Sequence, residues 1–134
     1  MKKYLILQNS KRLLRLATDD IMYISSEGYY SEIHLANGTS FQWTSTTASI
    51  INTLVKHSHF CDNFFRLGRS HLINLNYLSY IDLETKSLKL LNRNMDITVL
   101  NASRNSLKLL KDYVGHNTVN EMQGNDPSNT LPEQ

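Results

Sequence analysis

The chain has 134 residues, 40% of them hydrophobic, with 14 Lys and Arg against 12 Asp and Glu and a single cysteine. That is enough for one domain with its own core, too little for two ordinary ones, and too apolar for a chain that cannot collapse. No apolar run nears the ~18 residues of a membrane-crossing helix, MKKYLILQNSKRLLRL lacks the continuous apolar stretch of a signal peptide, and Cys61 alone closes no internal disulfide. A soluble, single-domain, cytoplasmic protein is expected.

Residues 3–8, 12–17 and 20–25 are short apolar or alternating runs split by polar residues, and read as strands. Residues 29–35 alternate apolar with polar, Asn37-Gly38 follows, and 39–44 return with Phe41 and Trp43 on one face. Asn-Gly suits the two positive-φ positions of a tight turn, so a β-hairpin is expected here. At Ser45-Thr46-Thr47 the pattern changes. Ile50, Ile51, Leu54 and Val55 recur at helical spacing, which predicts a helix over 46–56. Short strands follow, with breaks at Asn74-Leu75-Asn76 and Asn92-Arg93-Asn94. A second helix begins at Ser103, with Leu107, Leu110, Tyr113 and Val114 inward and Gly115 as its stop. Residues 117–134 hold both prolines and no aromatic or basic residue, and are expected to be a disordered acidic tail. The sum is a mainly β domain over residues 1–116, with seven to ten short strands and two short helices.

The net charge of +2 conceals two basic segments. Lys2, Lys3, Lys11, Arg12 and Arg15 give residues 1–16 a charge of +5, and six cations against Asp96 give residues 86–111 another +5. Folded together they can form one patch that attracts a polyanion, although a solvated surface of ordinary lysines reads the same way.

Catalytic chemistry is nearly absent from the pattern. His57-Ser58-His59-Phe60-Cys61 is the one metal-like cluster, and it lacks the fourth ligand that structural zinc wants, so a helix end and loop explain it more cheaply. Ser70-His71 are neighbours that a strand would point to opposite faces. The five glycines make neither a phosphate loop nor a dinucleotide fingerprint. No enzyme, metal or cofactor is expected.

The run Phe64-Phe65-Arg66-Leu67-Gly68-Arg69-Ser70-His71-Leu72-Ile73-Asn74 resembles the signature of the LytTR DNA-binding domain. Further parts match in order: Asp20 to Ile24, then Gly28-Tyr29-Tyr30, Ile33 to Gly38, Ile50 to Leu54, and Val99-Leu100-Asn101-Ala102-Ser103-Arg104. The resemblance covers about residues 12–114. It departs at Gly68, where the family usually has histidine.

The resemblance implies a bacterial transcription regulator built of small antiparallel sheets in an elongated arrangement. Its loops would enter successive major grooves at paired direct repeats on double-stranded DNA, with two copies of the domain meeting as a homodimer on the operator. Family members often carry a response-regulator receiver domain; this chain resembles the stand-alone form. Carried over by position, base contacts fall near Tyr30, at Arg69 and at Arg104. A guanidinium can donate two parallel hydrogen bonds to guanine, which suits both arginines to that role. Ser70, Lys86, Lys89, Arg93, Lys108 and Lys111 would hold the phosphate backbone. Arg66, between apolar neighbours, is expected to be a structural ion-pair partner, and Asn74 a turn-forming residue. The alternative function is a non-catalytic interaction module whose basic face docks a regulatory protein partner or a membrane surface.

Overall fold

In the computed structural model of the chain, residues 3–46, 48–51 and 63–116 are described. Ten strands succeed one another: β1 (Tyr4–Gln8), β2 (Leu13–Ala17), β3 (Ile21–Ser26), β4 (Ser31–Leu35), β5 (Ser40–Trp43), β6 (Phe64–Leu67), β7 (His71–Asn74), β8 (Leu78–Asp82), β9 (Ser87–Leu91) and β10 (Ile97–Asn101). Residues 48–51 are helical (α1), and a second helix, α2, spans Arg104–His116. The strands form three antiparallel sheets: a β1–β2 hairpin, a central sheet ordered β5-β4-β3-β7-β6, and a three-stranded sheet ordered β10-β9-β8. The mainly β architecture is the one the sequence predicts.

The central sheet has a core on each face, the second reaching only β3, β6 and β7. On one, Leu5 and Leu7 of the hairpin and Ile50 of α1 pack with Ile21, Ile24, Ile33 and Leu72. On the other, Leu88, Leu90, Leu100, Leu107 and Leu110 from the three-stranded sheet and α2 pack with Met22, Tyr23, Leu67 and Ile73. Each fully buried Leu or Ile side chain stabilises by about 1.5–3 kcal/mol. β3 serves both cores. Its register shifts between Ile21 and Tyr23, and its first five residues are buried in succession, because a strand covered on both faces loses its polar alternation.

Local chemistry sets the connections. Asn74 ends β7 by donating its side-chain amide to the Ile21 carbonyl (2.8 Å) and accepting the Asn76 N–H (3.0 Å), the turn-forming role expected of it. Thr18–Asp20 form a 3₁₀ turn between β2 and β3. The β4–β5 hairpin is present, but its turn differs from the expected one. Only Gly38 of the Asn-Gly pair has positive φ (94°), and the Gly38 N–H donates to the Leu35 carbonyl (3.0 Å). The loop is therefore three residues long, with glycine at the left-handed position. Asn37 is held there by accepting from the N–H and hydroxyl of Thr39 (3.1 and 2.7 Å).

α2 starts on Ser103, whose hydroxyl oxygen accepts the Ser106 N–H at 3.1 Å. Leu107 and Leu110 face inward as predicted, and Tyr113 meets the Phe65 ring at 5.2 Å. Gly115 does not stop the helix, which runs through it to His116. Of the expected helix over 46–56, residues 48–51 are helical, Thr46 precedes the helix with its hydroxyl oxygen accepting the Ser49 N–H (3.1 Å), and residues 47 and 52–56 lie outside the described residues. So do the His57-His59-Cys61 cluster and the 117–134 tail. Among the described residues, no helix is long and apolar enough to cross a membrane.

Candidate nucleic-acid interface

Antiparallel pairing decides which turns share an end of the molecule. Ser26 pairs with Ser31, Ser25 with His71, and Leu67 with His71, so the 27–30 and 68–70 loops leave the central sheet at the same end. The Ser26 N–H donates to the Ser70 carbonyl (2.8 Å), joining the two loops at their base. Gly68, Arg69 and Ser70 then share an open depression of about 210 Å³ with Asn101, Ser103 and Ser106 at the start of α2. The Ala102 N–H in turn donates to the Lys86 carbonyl (3.2 Å), which brings in the β8–β9 turn. Four segments distant in sequence thus lie in series: 27–30, 68–70, 101–106 and 83–86.

Arg69 and Arg104 are both exposed along this series. Arg69 follows Gly68, whose φ of +63° turns the chain between β6 and β7. Arg104 opens α2, where backbone N–H groups without helical partners favour a nearby anion. Tyr30 is half-buried, its carbonyl accepting the Glu27 N–H (2.9 Å), whereas its neighbour Tyr29 is 94% exposed. Tyr29 is thus the more projecting residue of the loop, a distinction the bare Tyr-Tyr pair did not disclose. Ser103 is placed at the helix start by the sequence, whereas the Ser106 hydroxyl at the depression is not singled out by it, although Ser-x-x-Ser before an apolar helix face is a usable capping signal.

The expected backbone-holding residues divide by position. Lys86 is exposed at this end, and Ser70 lies in the Arg69 turn. Lys108 and Lys111 follow Arg104 at four- and seven-residue spacing, one stripe along α2, and the Lys108 ammonium lies 3.4 Å from Asp112. Lys89 sits on β9 with its ammonium 5.2 Å from the centre of the Tyr80 ring. Arg93 is apart from the rest. It donates to Asp20 (2.6 Å) and to the Asp19 carbonyl (3.2 Å), at the end of the central sheet opposite Arg69. This pairing, chiefly the Asp20 hydrogen bond, raises its pKa. Arg66, expected in an ion pair, is exposed and has no acidic partner among the described residues. The β1–β2 hairpin, which carries the first basic segment, and β9, β10 and α2, which carry the second, pack on opposite faces of the central sheet.

A polar cluster lies at the base of the loops. The Ser25 hydroxyl donates to Glu27 (2.8 Å), its oxygen lies 3.2 Å from His34 Nε2, and the His34 ring stacks on Tyr23 at 4.0 Å. Burial lowers the pKa of His34, against the pull of Glu32 and Glu27, and that of His71, against Glu27. Serine, histidine and glutamate invite comparison with a hydrolytic triad, but the connectivity is wrong. A triad carboxylate orients the histidine from its far nitrogen, whereas this one takes the serine's own proton. Ser25 is also 5% exposed, with no room for a substrate. Among the described residues, no group of three His, Cys, Asp or Glu side chains could hold a metal.

The model of the LytTr DNA-binding domain family matches residues 11–115. Among solved structures, the chain is similar to the LytTr DNA-binding domain of a protein described as a methyl-accepting/DNA response regulator from Bacillus cereus. The TM-score is 0.60 at 16% identity, covering 86% of this chain and 99% of that one. No curated protein matches it. The chain belongs to the LytTr DNA-binding domain family, a family of DNA-binding domains in transcription regulation and not of enzymes.

Proposed function

We propose that this domain reads double-stranded DNA by sequence through the end of the molecule where the four segments meet, with Arg69 and Arg104 as base readers and the 27–30 loop, Tyr29 and Tyr30, beside them. The observation that carries the reading is the adjacency of these segments, through the Ser26–Ser70 and Ala102–Lys86 hydrogen bonds and the depression that the 68–70 turn shares with the start of α2. It presents two exposed guanidiniums on neighbouring segments of the fold, and preorganised donors lose less entropy on binding. Each guanidinium suits the O6 and N7 of guanine in a major groove.

Ser70, Lys86, Lys108 and Lys111 hold phosphates and set register in this reading, with Lys89 as a more distant contact. Arg93 braces the opposite end instead. Two copies of the domain occupy paired direct repeats and meet on the operator, and the protein works in the bacterial cytoplasm, where its DNA lies.

Selection of binders from a pool of randomised duplexes at near-physiological salt tests the proposal, because non-specific attraction is screened there. The expected result is two similar half-sites with centres about one helical turn apart, roughly 10.5 base pairs. Folded protein that enriches no motif would overturn base reading and leave a domain that binds DNA by charge alone.

A further inference from the structure

The carboxylate of Glu27 is the anomaly of the proposed interface. It lies on a loop assigned to a polyanion, and among the described residues no lysine or arginine pairs with it. Its partner is internal. Ser25 donates its only hydroxyl hydrogen to Glu27, so the contact between the Ser25 oxygen and His34 Nε2 requires the imidazole to donate. That sets His34 as the Nε2–H tautomer. The histidine is itself clamped by the Tyr23 ring, 4.0 Å away and within 9° of parallel. A directed chain therefore runs from the sheet to the loop: His34 to Ser25 to Glu27. Glu27 closes the loop through its backbone N–H to the Tyr30 carbonyl. One residue earlier, Ser26 holds the carbonyl of Ser70 in the Arg69 loop.

We propose that Glu27, Ser25 and His34 are positioning residues for sequence discrimination: they fix the 27–30 loop, and through Ser26 the Arg69 loop, without touching DNA. This rests on the base-reading function proposed above. The carboxylate is retained at an anionic interface because the loop depends on it as an acceptor, and its repulsion of phosphate is a cost to general affinity.

Glu27 is exposed, so its substitution spares the cores. Glu27→Gln keeps an acceptor for Ser25 and removes the charge, whereas Glu27→Ala removes both. Affinities are measured by fluorescence anisotropy for a duplex carrying the selected motif and for the same duplex scrambled. Both variants should bind the scrambled duplex more tightly than wild type. Only Glu27→Ala and Ser25→Ala should lose discrimination, by about 3- to 10-fold, the worth of one such hydrogen bond. The double variant should lose no more than either alone.

Without DNA, amide exchange at Gly28 to Tyr30 should quicken in Glu27→Ala and Ser25→Ala, and ¹⁵N shifts should report the Nε2–H tautomer of His34 in wild type. Unchanged loop exchange, or discrimination lost by Glu27→Ala but kept by Ser25→Ala, would overturn the proposal; the second result would make Glu27 a direct base contact. Wild-type protein that binds both duplexes equally would overturn base reading itself, and this proposal with it, a failure recognisable before any variant is made.

Discussion

The Ser26 N–H and the Ser70 carbonyl, 2.8 Å apart, make the loop after β3 and the loop before β7 parts of one support. The two belong to sequence segments more than forty residues apart, yet neither can tilt without straining the other. Arg69 therefore inherits its aim from β3 as much as from its own turn.

Arg69→Ala should cost about 1–3 kcal/mol on the selected duplex and relax the preference at one base position. Competition with single-base variants of that duplex checks it. An equal loss on every sequence would reduce Arg69 to a phosphate contact.

Lys86 and Arg93 separate contact from brace. Lys86→Ala should weaken all duplexes alike and lower the slope of log affinity against log salt by about one unit. Arg93→Ala should leave that slope unchanged. Its half-exposed pairing with Asp20 is worth about 1 kcal/mol or less, so a small fall in unfolding stability is expected instead. A salt slope altered by Arg93→Ala would return it to the DNA contacts.

Stability should depend on pH through His34 and His71. Burial lowers both from 6.5 in the folded protein; Glu32 and Glu27 oppose the shift at His34, where His71 adds to it, and Glu27 opposes it at His71. Between 6.5 and the lower folded values the unfolded chain binds more protons. Their contribution is thus complete above pH 6.5 and is lost as pH falls through the folded pKa values. Urea unfolding across that window should show the loss, and His34→Gln with His71→Gln should flatten it. Stability that rises on acidification would contradict the assignment.

Gly68 tests one departure from the family signature. A Cβ there would meet the Ser106 hydroxyl at 3.6 Å, an ordinary contact, so the obstacle is the φ of +63° alone. Gly68→His should fold with a loss of about 1 kcal/mol, since histidine is among the residues that tolerate this region. Gly68→Val should cost more, because β-branched residues rarely enter it. Thermal unfolding of the two variants ranks them, and equal losses would show that backbone conformation is not what limits the site.

Strands with one covered face were legible from alternation, as β4 shows with Ile33 and Leu35 buried between half-exposed Glu32 and His34. The Asn37-Gly38 turn was legible as a turn but not by type. Neighbours decide it: the Ala36 N–H binds the Asp20 carbonyl, and the Ala36 carbonyl takes the Arg93 N–H, fixing the loop from outside its own sequence. Arg93 looked like any exposed cation because its acidic partner is 73 positions away. Asn74 was readable because its bond to Asn76 is local. Arg69 and Arg104 could be named from the family motif. That the Arg69 turn and the start of α2 line one depression is a product of how α2 and the three-stranded sheet pack on the central sheet, which no local pattern encodes.

The two cores lie back to back, and the division has a consequence for what the molecule can tolerate. Leu5, Leu7, Leu14 and Leu16 of the β1–β2 hairpin belong wholly to the core away from α2 and the three-stranded sheet. The hairpin's exposed Asn9–Arg12 turn touches neither the other core nor the Arg69, Arg104 and Lys86 segments, so residues inserted there should leave their spacing unchanged. That turn is the place to attach a fluorophore or a fusion partner.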